Sequence, residues 1–324
     1  MLTPHYNRAK LVETAIQPYN AAVPAFPLSM LNRLFSLPTV ALLWLAHWLP
    51  LSILSRIGEG LGLLLFALAK NRRRIATINI DWCFPELDAQ QRKTLVRNHF
   101  KALGRSLLER SILWWSPRER LMQMIRFEGE HIIRELLAEG RPIILLAPHF
   151  VGLDAGGIAI AMRFDSASLY AAQANPTFDR LLLKGRSRFG DQLLLSRQDG
   201  IRASIKAMRS GRPFYYLPDI SGRSRESVFV PFFGIQTATI SATSRLAQAA
   251  GAVILPCVTR MLPGGQGYLL EIGQPFTNMP SSDVVADTAR INAWIEAVAR
   301  TMPEQYYWVH RRFKKRPPGE AKPY

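Results

Sequence analysis

The chain has 324 residues, which is enough for one α/β domain with additional elements, and 48% of them are hydrophobic. This share of hydrophobic residues can form a large core and excludes a chain that is disordered throughout. A formal net charge of +17 favours a polyanionic partner: nucleic acid, an anionic lipid surface or an acidic protein. The two cysteines, Cys83 and Cys257, lie far apart. They argue against a disulfide scaffold and a zinc site, and fit a reducing compartment.

The N-terminal region divides into two parts. Residues 1–35 show no regular pattern and predict an irregular extension. Residues 36–54 then form a run of 19 residues without formal charge, close to the ~20 that a helix needs to cross a bilayer core. His47 and Pro50 interrupt this run, and a shorter apolar run follows it. We therefore predict that residues 36–69 anchor the chain in a membrane; the alternative is a pair of buried core helices.

A basic run, Lys70 to Arg74, follows the apolar segment directly. Lysine and arginine accumulate on the cytoplasmic side of membrane segments. This pattern predicts that the remaining chain, residues 70–324, forms one domain that faces the cytoplasm. A cleaved signal peptide is not expected, because the apolar run starts late and no cleavage pattern follows it closely.

The pattern of apolar residues changes near Pro142. Residues 88–115 carry apolar positions at helical spacing and predict one or two amphipathic helices. After Pro142, short and nearly continuous apolar runs ("PIILLAPH", "FYYLPD" and "AVILPCVTR") alternate with helix-like stretches. Strands of this kind are buried on both faces. The sequence therefore predicts an α/β fold, with a mostly parallel central sheet flanked by helices and an N-terminal membrane-anchoring helix.

Two polar residues, His149 and Asp219, end two of the predicted strands, where α/β proteins bind their ligands. Asp154 follows His149 by five residues. If His149 lies on the loop and Asp154 in the first turn of the next helix, the carboxylate can reach one imidazole nitrogen and leave the other to accept a proton. The alternative is a structural histidine at a strand end. A third ligand that would complete a metal site is not evident nearby. The sequence also contains no G-x-S-x-G pattern of the kind that carries a serine nucleophile.

The segment "HFVGLD" (149–154) resembles the H-x4-D/E motif of the glycerolipid acyltransferase superfamily. Four further segments resemble, in the same order, the lipid A biosynthesis acyltransferases of the lauroyl or myristoyl type. These are "NIDWCFPEL", "GRSRFG", "PDISGRSRESVFVPFFGIQTAT" and "PEQYYWVHRRFKKRPPGE". The resemblance extends from about residue 40 to the C-terminus.

The resemblance implies an enzyme of the bacterial inner membrane that transfers a fatty acyl group from acyl carrier protein to a hydroxyl of a lipid A precursor. It implies His149 as the general base and Asp154 as its orienting partner, with Arg186 or Arg188 in the active site and Asp219 in the second strand-end motif. The reaction requires no metal and no cofactor. The chain departs from the family at Ser221, where an acid is frequent, and this leaves the acceptor open.

The excess of basic residues then has predicted partners, since acyl carrier protein is acidic and lipid A precursors carry phosphates. Arginine suits bidentate phosphate binding. We expect these contacts from Arg223, Arg225, Arg311 and Arg312, together with Lys314, Lys315 and Arg316. Three alternatives remain at this point: an acyltransferase for another lipid acceptor, a membrane-anchored hydrolase and a basic nucleic-acid-binding protein. The last lacks a helix-turn-helix, zinc-finger or RNA-binding signature, so we predict no nucleic-acid partner.

Overall fold

The computed structural model describes residues 30–196, 200–219 and 227–324, with the backbone alone for residues 30–35 and 200. The helices in these ranges are α1 Met30–Ala46, α2 Leu51–Leu68, α3 Lys70–Cys83, α4 Ala89–Trp115, α5 Arg118–Met124, α6 Glu130–Ala138, α7 Leu153–Ala161, α8 Pro176–Arg186, α9 Gly200–Arg209, α10 Ala242–Ala250 and α11 Val284–Thr301. The strands are β1 Ile125–Glu128, β2 Ile143–Leu146, β3 Ala167–Tyr170, β4 Leu193–Ser196, β5 Phe214–Tyr216, β6 Ser227–Phe232, β7 Ile235–Ile240, β8 Val253–Met261 and β9 Tyr268–Ile272.

A seven-stranded sheet forms the centre of the fold, in the order β1-β9-β8-β2-β5-β3-β4. Strands β8, β2, β5, β3 and β4 are mutually parallel, and β9 runs antiparallel to β8. Strands β6 and β7 form a separate antiparallel pair. The predicted α/β fold with a mostly parallel sheet is confirmed. Because β2 and β5 are parallel neighbours, the residues that follow them, His149 and Asp219, emerge at the same edge.

The core lies on both faces of the sheet. Ile144 and Leu146 of β2 belong to one cluster of buried side chains, whereas Ile143 and Leu145 belong to the cluster on the opposite face. Successive side chains of a strand point to opposite faces, so a strand covered on both sides needs an unbroken apolar run. This is the physical reason why "IILL" reads as continuous rather than alternating hydrophobicity.

The N-terminal apolar region differs from the prediction in its boundaries. Helix α1 begins at Met30, inside the segment predicted to be irregular, and includes Pro38. The uncharged run is then divided between two helices, because the chain leaves the helical conformation over residues 47–50 before α2 begins at Leu51. Among the described residues, α2 is the one helix long and apolar enough to cross a membrane. It is therefore the candidate anchor helix.

Helix α2 packs very closely against α4, and glycines make the close approach possible. A Cβ at Gly62 would lie 2.1 Å from the backbone oxygen of Phe100, and one at Gly58 would lie 2.7 Å from the Cα of Arg105. On the other helix, a Cβ at Gly104 would lie 2.3 Å from the backbone oxygen of Gly58. The two helices are antiparallel, since later residues of α2 meet earlier residues of α4. Any side chain at these positions would force the helices apart.

We expect Gly62→Ala to lower the free energy of unfolding by about 1–3 kcal/mol, the usual cost of overpacking a tight contact. Gly60→Ala is the matched control, because it lies in the same helix and a Cβ there would meet nothing within 4 Å. Without a clash, alanine should stabilise that position by about 0.5–1 kcal/mol relative to glycine. Urea unfolding of both variants measures the difference. Equal stabilities would contradict the close helix contact.

Candidate active site

The candidate site lies where β2 and β5 end. Leu146 is the last residue of β2, and Pro148 follows in the loop, so the chain leaves the sheet just before His149. The backbone N–H of Ala147 still donates to the carbonyl oxygen of Tyr216 at 2.8 Å, which aligns the two strand ends. His149 is 16% exposed at its side chain, whereas the side chain of Asp219 is 1% exposed. The two residues are therefore neighbours at a partly open edge of the sheet.

The carboxylate of Asp219 accepts hydrogen bonds from two groups of His149, its imidazole ring and its backbone N–H. Nδ1 of His149 lies 2.6 Å from Oδ1 of Asp219, and the backbone N–H of His149 donates to Oδ2 at 3.0 Å. Burial acts to raise the pKa of Asp219, but the charge and hydrogen bonds of His149 and the charge of Arg312 lower it to about 2. Asp219 is therefore ionised and can only accept, so Nδ1 carries the proton. Nε2 of His149 makes no hydrogen bond with any described residue and is left as the basic nitrogen.

The predicted hydrogen bond between Asp154 and His149 is wrong. Asp154 lies in the first turn of α7, where its carboxylate faces α4 and α8 instead. Nε of Arg110 donates to Oδ2 and Nη2 of Arg186 donates to Oδ1, both at 2.8 Å. Burial raises the pKa of Asp154, but these two guanidinium groups outweigh that effect and hold the pKa well below its usual range. Asp154 is thus a buried anion between two arginines.

The two arginines of "GRSRF" have different surroundings. Arg186 ends α8 and binds Asp154, with 30% of its side chain exposed. Arg188 instead donates from Nη1 to the carbonyl oxygen of Leu113 at 2.9 Å and from Nη2 to that of Ser116 at 2.6 Å. These carbonyls end α4 and lack partners within the helix. Arg188 therefore caps a helix, and Arg186 is the arginine of this motif that lies beside Asp154.

The C-terminal motif contributes directly to the site. The backbone N–H of Tyr307 donates to the carbonyl oxygen of His149 at 2.9 Å, and Val151 donates to the carbonyl oxygen of Gln305 at the same distance. Phe150 and Tyr306 form an isolated antiparallel bridge. Residues 305–307 therefore hold the loop that carries His149. Trp308 of the same motif is completely buried.

Asn79, from the motif "NIDWCFPEL", fixes the C-terminal segment in turn. Its Nδ2 donates to the carbonyl oxygens of Trp308 at 2.6 Å and of His310 at 2.7 Å. A cavity of about 10 Å³, enough for about one water molecule, lies between Asn79, His149, Asp219 and His310. Burial lowers the pKa of His310 to about 4, with Arg312 and His149 adding to the effect. His310 is therefore neutral at physiological pH.

The predicted basic surface of the tail is only partly present. Arg311 is exposed, as expected. Arg312 is 2% exposed, which is a correction to its predicted place on that surface. It donates to the carbonyl oxygen of Ala238 at 3.0 Å and to Oγ1 of Thr239 at 2.9 Å, so its side chain forms its hydrogen bonds inside the protein. The predicted residues Arg223 and Arg225, and Ser221, lie outside the described residues.

Three residues of the site escaped sequence reasoning. Arg110 is one arginine among several in α4, and its position gives no signal by itself. Tyr306 and Asn79 belong to motifs that resemble a known family, but nothing local ties either residue to His149. The contacts of these two residues join segments far apart along the chain; Asn79 and Trp308, for example, are 229 residues apart.

Comparison with known proteins agrees with the geometry. Residues 27–315 match the family model described as "Bacterial lipid A biosynthesis acyltransferase". The chain is 35% identical to the lipid A biosynthesis lauroyltransferase of Escherichia coli (strain K12) over 300 residues, 92% of this chain and 97% of the relative. It is 29% identical to the palmitoleoyltransferase of the same organism, over 88% of this chain and 92% of the relative. It is 30% identical to the myristoyltransferase, over 84% and 83%.

The family match spans residues 27–315 and so includes the strand ends, α4, α8 and residues 305–307 of the C-terminal motif, the described elements that build the site. The family model alone spans most of the 324 residues. The resemblance inferred from the five motifs is thereby confirmed. The chain belongs to the bacterial lipid A biosynthesis acyltransferases and is an acyltransferase.

Proposed function

We propose that the protein transfers a fatty acyl group from the thioester of acyl carrier protein to a hydroxyl group of a lipid A precursor. The observation that carries the proposal is His149, which is held through Nδ1 by the ionised Asp219 at a partly open edge of the sheet. The names of the related lauroyl-, palmitoleoyl- and myristoyltransferases supply the class of acceptor. A hydroxyl is a poor nucleophile at neutral pH, so the transfer needs a base of this kind.

In this mechanism Nε2 of His149 removes the proton of the acceptor hydroxyl as its oxygen attacks the thioester carbonyl. The C–O bond forms, and the tetrahedral intermediate collapses with cleavage of the C–S bond. The imidazolium then returns its proton to the departing thiolate, so that an ester and a free thiol result. Asp219 stabilises the imidazolium and keeps the ring oriented. Asp219 takes the role that the sequence assigns to Asp154.

Positive charge beside the loop suits the anions of the reaction. Arg110 and Arg186 share the single negative charge of Asp154, so this group of three residues carries a net charge of +1. Helix α7 begins at Leu153, four residues after His149, and its first turn adds the positive end of a helix dipole. We assign the oxyanion of the intermediate, or a phosphate of a substrate, to this region. The role proposed for Asp154 is then to position Arg110 and Arg186.

The proposal places the enzyme at the inner membrane with its site facing the cytoplasm. The basic run Lys70 to Arg74 follows the candidate anchor helix α2, and the anionic cytoplasmic leaflet attracts such runs. Acyl carrier protein is a cytoplasmic donor, so its thioester reaches a site on this side. The acidic donor and the positively charged enzyme should also attract each other over long distances.

The decisive experiment is an assay with acyl-carrier thioester in the presence and absence of a lipid A precursor. The proposal expects thiol release that depends on the acceptor and a product heavier by one acyl chain in mass spectrometry. Thiol release at the same rate without acceptor would identify a hydrolase and contradict the proposal. Acyl transfer to other lipids, but not to the lipid A precursor, would contradict the choice of acceptor.

Arg186 and Arg188 provide one test of the site. We expect Arg188→Ala to lower the free energy of unfolding by about 1–3 kcal/mol, because two carbonyl groups lose charged donors, while activity per folded molecule stays near that of the wild type. Arg186→Ala should lower activity per folded molecule about tenfold or more, since it removes a cation beside the reacting groups. Steady-state assays on the folded fraction check this. The reverse pattern would assign the catalytic contribution to Arg188.

Arg311 tests how the tail contributes. We expect Arg311→Glu to raise the KM for the lipid acceptor about 2- to 10-fold at low salt, because a charge that attracts phosphate becomes repulsive. Arg126→Glu is the control, since Arg126 is also exposed but lies in β1 at the far edge of the sheet. A rise in the KM for the carrier-protein donor alone would instead place the donor beside the tail.

A further inference from the structure

We propose that α2 lies in the plane of the membrane and does not cross it, with its exposed face in the headgroup region of an anionic leaflet. The inference concerns how the protein binds its membrane. It rests on the membrane location in the proposed function, but not on the acyl-transfer chemistry. Helix α2 is long and apolar enough to span a bilayer, and the way it packs decides between the two arrangements.

Large exposed hydrophobic side chains are concentrated in the first two helices and the turn between them. Within the described part of the chain there are fourteen of them, and nine lie between residues 37 and 68: Leu37, Leu42, Trp44, Leu45, Trp48, Ile53, Ile57, Leu64 and Leu68. Soluble monomers rarely expose so many apolar side chains together. Trp44 and Trp48 are 46% and 68% exposed, and tryptophan prefers the boundary between headgroups and acyl chains.

The exposed side chains of α2 form a single stripe. Ile53, Ile57, Leu64 and Leu68 recur at helical spacing, and each is at least 45% exposed. The opposite face is buried, with Leu54, Gly58 and Gly62 turned toward the protein. A helix that spans a bilayer alone contacts lipid on all sides. One apolar stripe with a buried reverse side is typical of a helix that lies on a membrane.

The partner helix excludes a spanning arrangement. Helix α4 runs antiparallel to α2 at backbone contact, through Gly58, Gly62 and Gly104. If α2 crossed the bilayer, α4 would have to enter it as well. Helix α4 carries charged side chains along its length, including exposed Arg97 and partly exposed Lys101. Charged side chains in the hydrocarbon region are costly, so the pair of helices cannot be inserted together.

The turn before α2 is also fixed to the rest of the protein. Arg120 of α5 donates from Nη1 to the carbonyl oxygen of His47 and from Nη2 to that of Leu49, both at 2.5 Å. Gly265 also contacts the first turn of α2, where a Cβ at Gly265 would lie 2.6 Å from the Cα of Ser52. Helix α2 therefore cannot swing away from α4 and insert by itself.

The charges around the stripe favour an anionic membrane leaflet as the surface that covers it. Arg56 is exposed on α2 itself, and Lys70 and Arg74 are exposed just beyond its end. Arg73 folds back over the ring of Phe66, 5.1 Å from its centroid. Apolar side chains bordered by lysine and arginine bind membranes that carry acidic lipids, since burial and charge attraction add together. A protein partner would have to supply the same apolar surface with an acidic border.

Nitroxide labels along the stripe test the orientation. Single cysteines are placed at Ile53, Ile57, Leu64 and Leu68 in the full chain; the native Cys83 and Cys257 are buried. From residue 53 to residue 68 a helix rises ~22 Å. On vesicles containing phosphatidylglycerol, an in-plane helix should place all four labels at a similar, shallow depth by oxygen and nickel accessibility. A label at Val285, exposed on α11, is the control and should stay in water.

Two outcomes would overturn the inference. Labels whose depth increases toward the middle of α2 and falls at both ends would show a helix that crosses the bilayer. Labels that remain in water on vesicles would show that the stripe does not contact lipid. Activity on a detergent-dispersed acceptor provides the separate readout. Ile57→Glu should weaken vesicle binding at least tenfold and leave that activity unchanged, whereas a failure of acyl transfer in the wild type would contradict only the proposed function.

Discussion

Replacing His149 by alanine is expected to reduce acyl transfer about 10²–10⁴-fold, the usual contribution of a general base. The variant should remain folded and membrane-bound, because the loop that carries His149 is held by backbone hydrogen bonds to Gln305 and from Tyr307, which do not involve the imidazole. Turnover with acyl-carrier thioester and lipid acceptor measures the loss, and circular dichroism confirms the fold.

The matched control is His131→Ala, an exposed histidine of α6 that makes no contact with the site. It should retain the activity of the wild type. Near wild-type turnover of His149→Ala would remove the catalytic assignment altogether. A similar loss in both variants would point to a general effect of removing histidine rather than to a base at position 149.

The second large effect is expected from Asp219. We predict that Asp219→Asn reduces turnover about 10²–10⁴-fold, since an amide neither holds the Nδ1–H form nor stabilises the imidazolium. Asp154→Asn should also lose most activity, but through loosened arginines, because its oxygens bind Arg110 and Arg186. Asp154→Glu should retain part of the activity, because a longer carboxylate can still reach both cations.

The pH dependence of stability tests whether the ionised carboxylate of Asp219 stabilises the fold. The pKa of Asp219 is about 2 in the folded protein, below the ~3.9 of an unfolded chain. The carboxylate therefore stabilises the fold above pH ~4, and this contribution disappears as the pH falls through the folded pKa. This difference in pKa between the folded and unfolded chain corresponds to about 3 kcal/mol at pH 7.

Urea unfolding at two pH values checks this expectation. Asp219→Asn should be less stable than the wild type by about 3 kcal/mol at pH 7, and the difference should shrink between pH 4 and pH 2. A difference that does not depend on pH would mean that the cost of the variant comes from packing. Unchanged activity in Asp219→Asn would show that another group orients the imidazole of His149.

Much of this protein could be predicted from local sequence, because the patterns involved are local. Continuous apolar runs such as "IILL" identify strands covered on both faces, and Asp88 with Gln91 forms the capping box that begins α4. The strand ends placed His149 and Asp219 at one edge of a parallel sheet. The ordered motifs identified the family. Each of these inferences starts from patterns within short stretches of the sequence.

The partners of the site residues were decided only by the tertiary structure. Asp154 is five residues from His149, yet Asp219, 70 residues away, holds the imidazole because β5 is the strand next to β2. Arg110 reaches Asp154 from a helix 44 residues earlier. Likewise, the apolar pattern of α2 is compatible with both spanning and surface-bound helices, and its glycine contact with α4 distinguishes them. Sequence patterns determine which face of an element is buried, but the order and packing of the elements determine what it meets.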